Sequence, residues 1–118
     1  MRRAALGLAL VAIASSLTAR ALDADTLAGA WQVTWENQSR NLLTLKAHGD
    51  RLAGSYTSDD GSSCATYGRV TARRLELHVL CPNWSIDMDG TPAADGKTVA
   101  GTYFAYGNSR GQFNMARP

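Results

Sequence analysis

The sequence predicts an all-β fold: an eight-stranded antiparallel up-and-down meander barrel, preceded by a cleaved signal peptide. Eight short segments alternate apolar with polar residues, the period expected of half-buried strands. Short turns separate most of these segments, so neighbours in sequence should pair as antiparallel neighbours in space. Closing the meander into a barrel removes exposed sheet edges, which the alternatives, an open sheet or a two-sheet sandwich, would retain.

A leader precedes the barrel. Residues 1–21 begin with a basic Met-Arg-Arg, continue as an apolar run and end in Ala19-Arg20-Ala21, a small-x-small cleavage signal. The alternative is a membrane anchor, but the apolar run is shorter than the roughly 20 residues that cross a bilayer. We therefore expect a signal peptide at 1–21, a single domain at 22–118, no membrane span after cleavage, and a bacterial periplasmic or secreted protein.

Cleavage also changes the charge of the chain. The full sequence carries 12 basic and 10 acidic residues, and three of the arginines lie in the leader. The mature domain therefore has a net charge of −1, with nine basic residues against ten acidic ones. Such a balance gives no electrostatic basis for nucleic-acid binding.

The strands follow from alternation and turn residues, taken in order. Residues 22–27 form a polar lead-in with the composition of a single helical turn. In the first strand Trp31, Val33 and Trp35 share one face, and each later strand repeats this period of two. A polar loop is predicted at 89–97, where Gly and Pro cluster. The predicted strands are 31–36, 41–47, 51–57, 63–71, 74–81, 84–88, 98–106 and 112–117.

A five-residue pattern of aliphatic, alanine, glycine, small and aromatic residues occurs three times, beginning at positions 27, 52 and 99. Glycine permits sharp strand bending and leaves space between bulky neighbours. We expect the three glycines to lie on the inner face and to make room for the aromatic residue that ends each copy. The glycines are Gly29, Gly54 and Gly101, and the aromatic residues are Trp31, Tyr56 and Tyr103.

Two cysteines, Cys64 and Cys81, remain in the mature domain. In an oxidising compartment an even number of cysteines in a small domain is typical of a disulfide, which is the prediction here. Free thiols and an intermolecular link are the alternatives.

The polar residues do not form a recognisable reactive group. His48 and His78 are far apart in sequence with no spare cysteine, which argues against a metal site. Asp87 and Asp89 share a polar strand face, a pattern typical of solubilising residues. The hydroxyls of Ser62 and Ser63 have no neighbouring base in the pattern. We therefore expect no catalytic residues, no metal and no cofactor.

The inward-facing aromatic residues are the remaining functional signal. An eight-stranded barrel has an interior just wide enough for side chains or for one small ligand. These residues therefore either fill the barrel or line a pocket at one mouth, where a small ligand would bind. The candidate ligand-binding residues are Trp31, Trp35, Tyr56, Tyr103 and Phe113.

The pattern Gly29-x-Trp31 at the first strand resembles the start of the calycin barrels, which include lipocalins, fatty-acid-binding proteins and avidins. In lipocalins the tryptophan closes one end of the barrel beneath a basic residue near the last strand. The resemblance implies that role for Arg117, or alternatively Arg110, through a cation–π contact. Residues 27–58 look most like an avidin start, with Asn37-Gln38 and then Leu-x-Gly-Ser-Tyr at 52–56.

A second, fainter resemblance is to periplasmic metalloprotease inhibitors, which are small disulfide-bonded barrels with an N-terminal tail. Their cysteines fall earlier than Cys64 and Cys81 do. The first functional hypothesis is a non-catalytic, lipocalin-like barrel that binds a small, partly apolar ligand. The alternative is a periplasmic protein-binding barrel, such as a hydrolase or protease inhibitor that inserts residues 22–26.

Overall fold

Eight antiparallel strands, each paired with the next, are closed by pairing of the last strand with the first. The computed structural model describes residues 22–118, so the predicted signal peptide at 1–21 lies outside the described residues. The elements are α1 (Ala24–Leu27), β1 (Gly29–Trp35), β2 (Arg40–His48), β3 (Arg51–Thr57), β4 (Ser63–Thr71), β5 (Arg74–Leu80), β6 (Ser85–Pro92), β7 (Thr98–Ala105), a 3₁₀ turn (Tyr106–Asn108) and β8 (Ser109–Ala116). The predicted up-and-down barrel is confirmed.

The bounds of β6 and β8 differ most from the predicted ones. The polar loop expected at 89–97 is shorter, because β6 continues through Gly90 to Pro92 and pairs with β7 as far as Val99. Likewise β8 begins at Ser109 instead of residue 112. Glycine and proline suggested turns, but alternation of inward and outward residues persists through these segments.

The interior is filled by side chains from every strand and from α1. Nearly all of them are aliphatic or aromatic, and the largest fully buried ones belong to Trp31, Phe113, six leucines and Met115. Burial of this apolar surface is the main source of stability of the barrel. One polar side chain, that of Thr66, is buried with them, and its hydroxyl has no hydrogen-bond partner within residues 22–118.

The predicted helical turn is confirmed as α1, which covers one end of the barrel. Asp23 caps it, accepting hydrogen bonds from the backbone N–H and the hydroxyl of Thr26 at 3.1 and 2.9 Å. Ala24 and Leu27 are fully buried, and the Trp31 indole N–H donates to the carbonyl of Leu27 at 2.9 Å. Ala24 and Leu27 therefore attach residues 22–27 to the barrel core.

The glycines of the repeated pattern make room for backbone and not for aromatic rings. A Cβ on Gly54 would lie 1.7 Å from the carbonyl oxygen of Thr44 in the neighbouring strand. A Cβ on Gly101 would lie 2.1 Å from the carbonyl oxygen of Asp89, and one on Gly68, outside the repeated pattern, would lie 1.9 Å from that of Glu76. Gly29 pairs with the inward-facing Leu45 but is exposed at the end of the barrel with φ +110°, and a Cβ there would meet the Arg117 guanidinium at 3.1 Å. The prediction that the three glycines of the pattern make room for the aromatic ring that ends each copy is therefore corrected.

The predicted disulfide is confirmed. Cys64 begins the inner face of β4, and Cys81 follows the last residue of β5, with a Cα–Cα distance of 4.7 Å. The bridge closes a loop over a sequence separation of 17 at the end of the barrel opposite α1.

Replacing both cysteines by alanine is expected to lower the free energy of unfolding by about 3 kcal/mol, because the open loop gains entropy in the unfolded chain. Urea denaturation of the double variant, followed by far-ultraviolet circular dichroism, measures the change. Wild-type protein kept reduced is the matched control and should lose a similar amount. A loss below about 1 kcal/mol in both would contradict the prediction.

Candidate functional site

Four of the five predicted ligand-binding residues meet at the end of the barrel opposite α1. Trp35 packs edge-on against Tyr56 and Tyr103, with ring centroids 6.1 and 5.1 Å apart, and is tilted against Phe113 at 6.2 Å. Trp84 extends the cluster through Tyr56. These edge-to-face and tilted contacts stabilise the packing of the rings against one another. Trp35 is only 7% exposed, so this cluster fills the mouth where a pocket was predicted.

Hydrogen bonds hold Trp35 at that mouth. Its indole N–H donates to the side-chain oxygen of Asn41 at 2.8 Å. The amide nitrogen of Asn41 in turn donates to the Thr57 carbonyl at 3.0 Å and to the Asp59 carboxylate at 2.9 Å. The buried indole N–H thus has a hydrogen-bond partner, and the same Asn41 side chain links β2 to the end of β3 and to the turn that follows it.

The hydroxyl of Tyr56 lies in this cluster, where burial raises its pKa from the ordinary value of about 10 to about 12. The folded state therefore favours the protonated phenol of Tyr56. The resulting contribution to the free energy of unfolding is complete below pH 10 and is lost between about pH 10 and pH 12. We expect an absorbance titration of the folded protein to show a tyrosinate step near pH 12. Tyr56→Phe should remove the late step. Titration of every tyrosine near pH 10 in the folded protein would contradict this.

The fifth predicted residue, Trp31, lies at the opposite end under Arg117. The guanidinium carbon is 3.8 Å from the ring centroid, and the guanidinium donates to the carbonyls of Thr26 and Ala28 at 2.9 Å and of Ala30 at 3.3 Å. Of the two arginines considered from the sequence, Arg117 makes this contact. Trp31 is fully buried and so forms part of the core.

The outer face of β4 to β8 carries a row of side chains that the sequence reasoning did not bring together. Strand register places its members directly opposite one another, in spatial order. Direct neighbours on one face are close enough for their side chains to interact. We call this set the outer row: Tyr67, His78, Asp87, Phe104 and Arg110.

Side-chain contacts link the outer row in two groups, Tyr67–His78–Asp87 and Phe104–Arg110, which strand register places side by side. The Tyr67 and His78 rings lie 5.1 Å apart, and His78 Nδ1 is 2.8 Å from a carboxylate oxygen of Asp87. At the other end the Arg110 guanidinium lies over the Phe104 ring at 5.1 Å. Tyr67 is 48% and Phe104 39% exposed, so the row presents aromatic surface together with charge.

A groove of about 840 Å³ crosses the outer face from β5 to the end of β1. Its lining combines members of the outer row with the polar residues that lie two positions away from them along each strand. The lining residues are Glu36, Glu76, His78, Asp87, Met88, Asp89, Thr102, Tyr103, Phe104, Arg110, Gly111 and Gln112. We call this the outer groove. Of the five predicted ligand-binding residues it includes only Tyr103.

The carboxylates of the outer groove already have partners. Arg74 binds Asp89 through both its Nε and Nη2 atoms, and Glu76 lies 3.6 Å from Arg69 and 3.9 Å from Arg74. The Arg74 guanidinium holds the pKa of Asp89 below its usual range. These are exposed pairs that contribute little to stability. They do hold the charged side chains of the groove in defined positions.

Alternation in the sequence contained a signal for the outer row. Phe104 follows Tyr103 in β7, and Tyr67 follows Thr66 in β4, so each must point to the opposite face from its buried or half-buried neighbour. His48 is the last residue of β2, although a turn was predicted there, and His78 lies in β5. Among the described residues there is no group of three or more His, Cys, Asp or Glu side chains that could hold a metal ion.

Comparisons with known proteins bear on the fold. No protein-family model and no curated protein matches the chain. A redesigned β barrel of known structure matches with a TM-score of 0.62 and 15% sequence identity, over 83% of this chain and 96% of that one. At this identity the likeness shows the small β-barrel fold alone. A search of residues 22–118 finds no helix long and apolar enough to cross a membrane.

Proposed function

We propose that this chain is a non-catalytic binding protein that engages a partner protein through the outer face of β4 to β8. The observation that carries the proposal is the outer row, a series of aromatic and charged side chains that strand register places side by side along five strands. Tyrosine, phenylalanine and arginine are enriched in protein interfaces, where they supply most of the binding energy. Tyr106, 71% exposed, and Leu80 extend the apolar surface beside the row.

The filled interior supports an outer rather than an inner binding surface. The rings predicted to line a pocket contact one another, and α1 covers the other end. A mechanism in which residues 22–26 insert into a hydrolase is not part of the proposal, because Ala24 is fully buried.

We further propose that the protein works in the periplasm or outside the cell, as a distant relative of the calycins. The leader sequence and the Cys64–Cys81 disulfide support the compartment. The contact of Arg117 with Trp31 supports the kinship, since lipocalins close one end of the barrel in this way.

The second candidate is a small, partly apolar ligand bound in the outer groove. A volume of about 840 Å³ lies within the range of small-molecule sites, and Phe104 offers an apolar surface beside polar groups. Native mass spectrometry of protein purified from the exported fraction tests this candidate. A co-purified mass that is lost in Phe104→Ser would favour it over a protein partner.

Site-directed photocrosslinking tests the proposed partner. Benzoylphenylalanine at Tyr106 or Tyr67 should form an adduct with one protein in cells that produce the chain, and excess unmodified chain should compete with it. The same probe at Lys46, exposed on β2, is the matched control and should not form this adduct. Equal labelling from all three positions, or adducts that are not competed, would overturn the proposal.

A further inference from the structure

Three stretches around the short strand β1 pair with a neighbouring strand on one side only. β1 pairs with β2 over residues 29–34 and with β8 over residues 32–35. Among residues 22–118, no strand therefore pairs with the second side of residues 29–31 of β1, 46–48 of β2 or 109–112 of β8. Such edges attract other chains, and proteins usually cover them.

Two of these edges are covered by other parts of the chain. Arg117 donates to the carbonyls of Ala28 and Ala30 beside the start of β1. Helix α1 packs against β2. The third edge, at the start of β8, faces the outer groove, where the Glu36 carboxylate accepts the Gln112 N–H at 2.9 Å.

That hydrogen bond shows which backbone groups face outward. The Gln112 N–H points away from β7, so its C=O and the N–H and C=O of Arg110, two residues earlier, point the same way. A guest strand could pair with these groups in the antiparallel direction, continuing the line of β1. Addition of a strand to such an edge is a common mode of peptide recognition.

Neighbouring side chains specify what the guest strand must carry. The guest residue opposite Gln112 would lie beside Glu36, which forms no ion pair within residues 22–118, so a basic side chain suits that position. The residue opposite Gly111 would face inward onto the Tyr103 ring, which lies over Gly111, so it should be apolar. The residue opposite Arg110 should be acidic.

We propose that residues 109–112 of β8 accept an extended segment of another protein as an added antiparallel strand, with the order basic, apolar, acidic. This inference rests on the proposed function and names the chemistry of the partner. The guest strand displaces Glu36 from the edge and breaks the hydrogen bond between the Glu36 carboxylate and the Gln112 N–H. An ion pair between Glu36 and the basic guest side chain compensates for that loss. A second copy of the chain would place glycine opposite Gly111 and leave Tyr103 uncovered.

Titration with a capped peptide, Thr-Lys-Val-Glu-Thr, followed by amide resonances of the ¹⁵N-labelled protein, tests the proposal. Shifts should concentrate at Arg110, Gly111 and Gln112. The charge-reversed peptide Thr-Glu-Val-Lys-Thr should bind about fivefold more weakly, because it places like charges beside Glu36 and Arg110 at exposed positions. In the double variant with Glu36→Lys and Arg110→Glu the preference should invert. Equal affinities in both proteins would overturn the charge order.

Two N-methylated peptides of identical composition test the backbone pairing. Methylation of the Lys and Glu amides, which would face β8, should abolish binding. Methylation of the Val and final Thr amides should leave binding unchanged. Equal binding of the two isomers, or self-association of the protein that the peptide does not reverse, would overturn strand addition.

The crosslinking partner separates this inference from the proposed function. If the partner still forms its Tyr106 adduct with the Glu36→Lys, Arg110→Glu variant at wild-type yield, the proposed function stands and strand addition fails. If no competed adduct forms while the peptide binds with the expected charge order, the proposed function fails and the edge site stands. Loss of the adduct in the double variant supports both.

Discussion

Gly54→Ala is expected to prevent the native barrel from forming, at a cost of more than about 4 kcal/mol. The added Cβ would lie 1.7 Å from the carbonyl oxygen of Thr44, 2.8 Å from its carbonyl carbon and 3.0 Å from the Leu45 Cα. All three are backbone atoms of β2, and no rotamer change can move them. Relief of the clash requires β2 and β3 to separate where Leu45 pairs with Gly54.

A domain of this size has only about 5–15 kcal/mol of total stability, so the loss would leave the variant largely unfolded at moderate temperature. Circular dichroism and thermal unfolding measure it. Gly61→Ala is the matched control: its Cβ would meet nothing within 4 Å, and its φ of +86° makes the cost about 1 kcal/mol. Cooperative unfolding of Gly54→Ala within a few degrees of wild type would contradict the prediction.

The closed barrel could be predicted because its determinants are local. Alternation in β3 and β4 identified both strands to the residue, and short turns dictated their order. The end of β6 could not be predicted in this way. Gly90 and Pro92 have the composition of a turn, and only pairing with β7 shows that they face inward as strand residues.

The candidate site was harder to predict because it depends on register across strands. His78 and Asp87 are nine positions apart in sequence, and only the pairing of β5 with β6 places them opposite each other. The same applies to Gly54, whose neighbour is a carbonyl group in another strand. An aromatic residue in a barrel sequence suggests a filled interior, although Phe104 and Tyr67 point outward.

Arg117→Ala is expected to lower the free energy of unfolding by about 4 kcal/mol, because one guanidinium joins α1, β1 and the C-terminal end of β8. Its hydrogen bonds to three carbonyls and its contact with Trp31 would all be lost. Residues 22–27 should then detach before the barrel unfolds, since their carbonyl groups lose a charged donor. Urea denaturation and hydrogen exchange of the α1 amides measure the global and the local effect.

Arg110→Ala is the matched control for that prediction. Arg110 also lies over an aromatic ring, that of Phe104, but within residues 22–118 its guanidinium donates no hydrogen bond to a carbonyl group. Its removal should cost less than about 1 kcal/mol, the value of an exposed cation–π pair. Arg117→Lys keeps the charge but lacks the planar fork that reaches several carbonyls, so it should restore less than half of the loss. Equal stability of Arg117→Ala and Arg110→Ala would contradict the prediction. It would mean that apolar packing of Leu27 and Trp31 alone closes the end of the barrel that α1 covers.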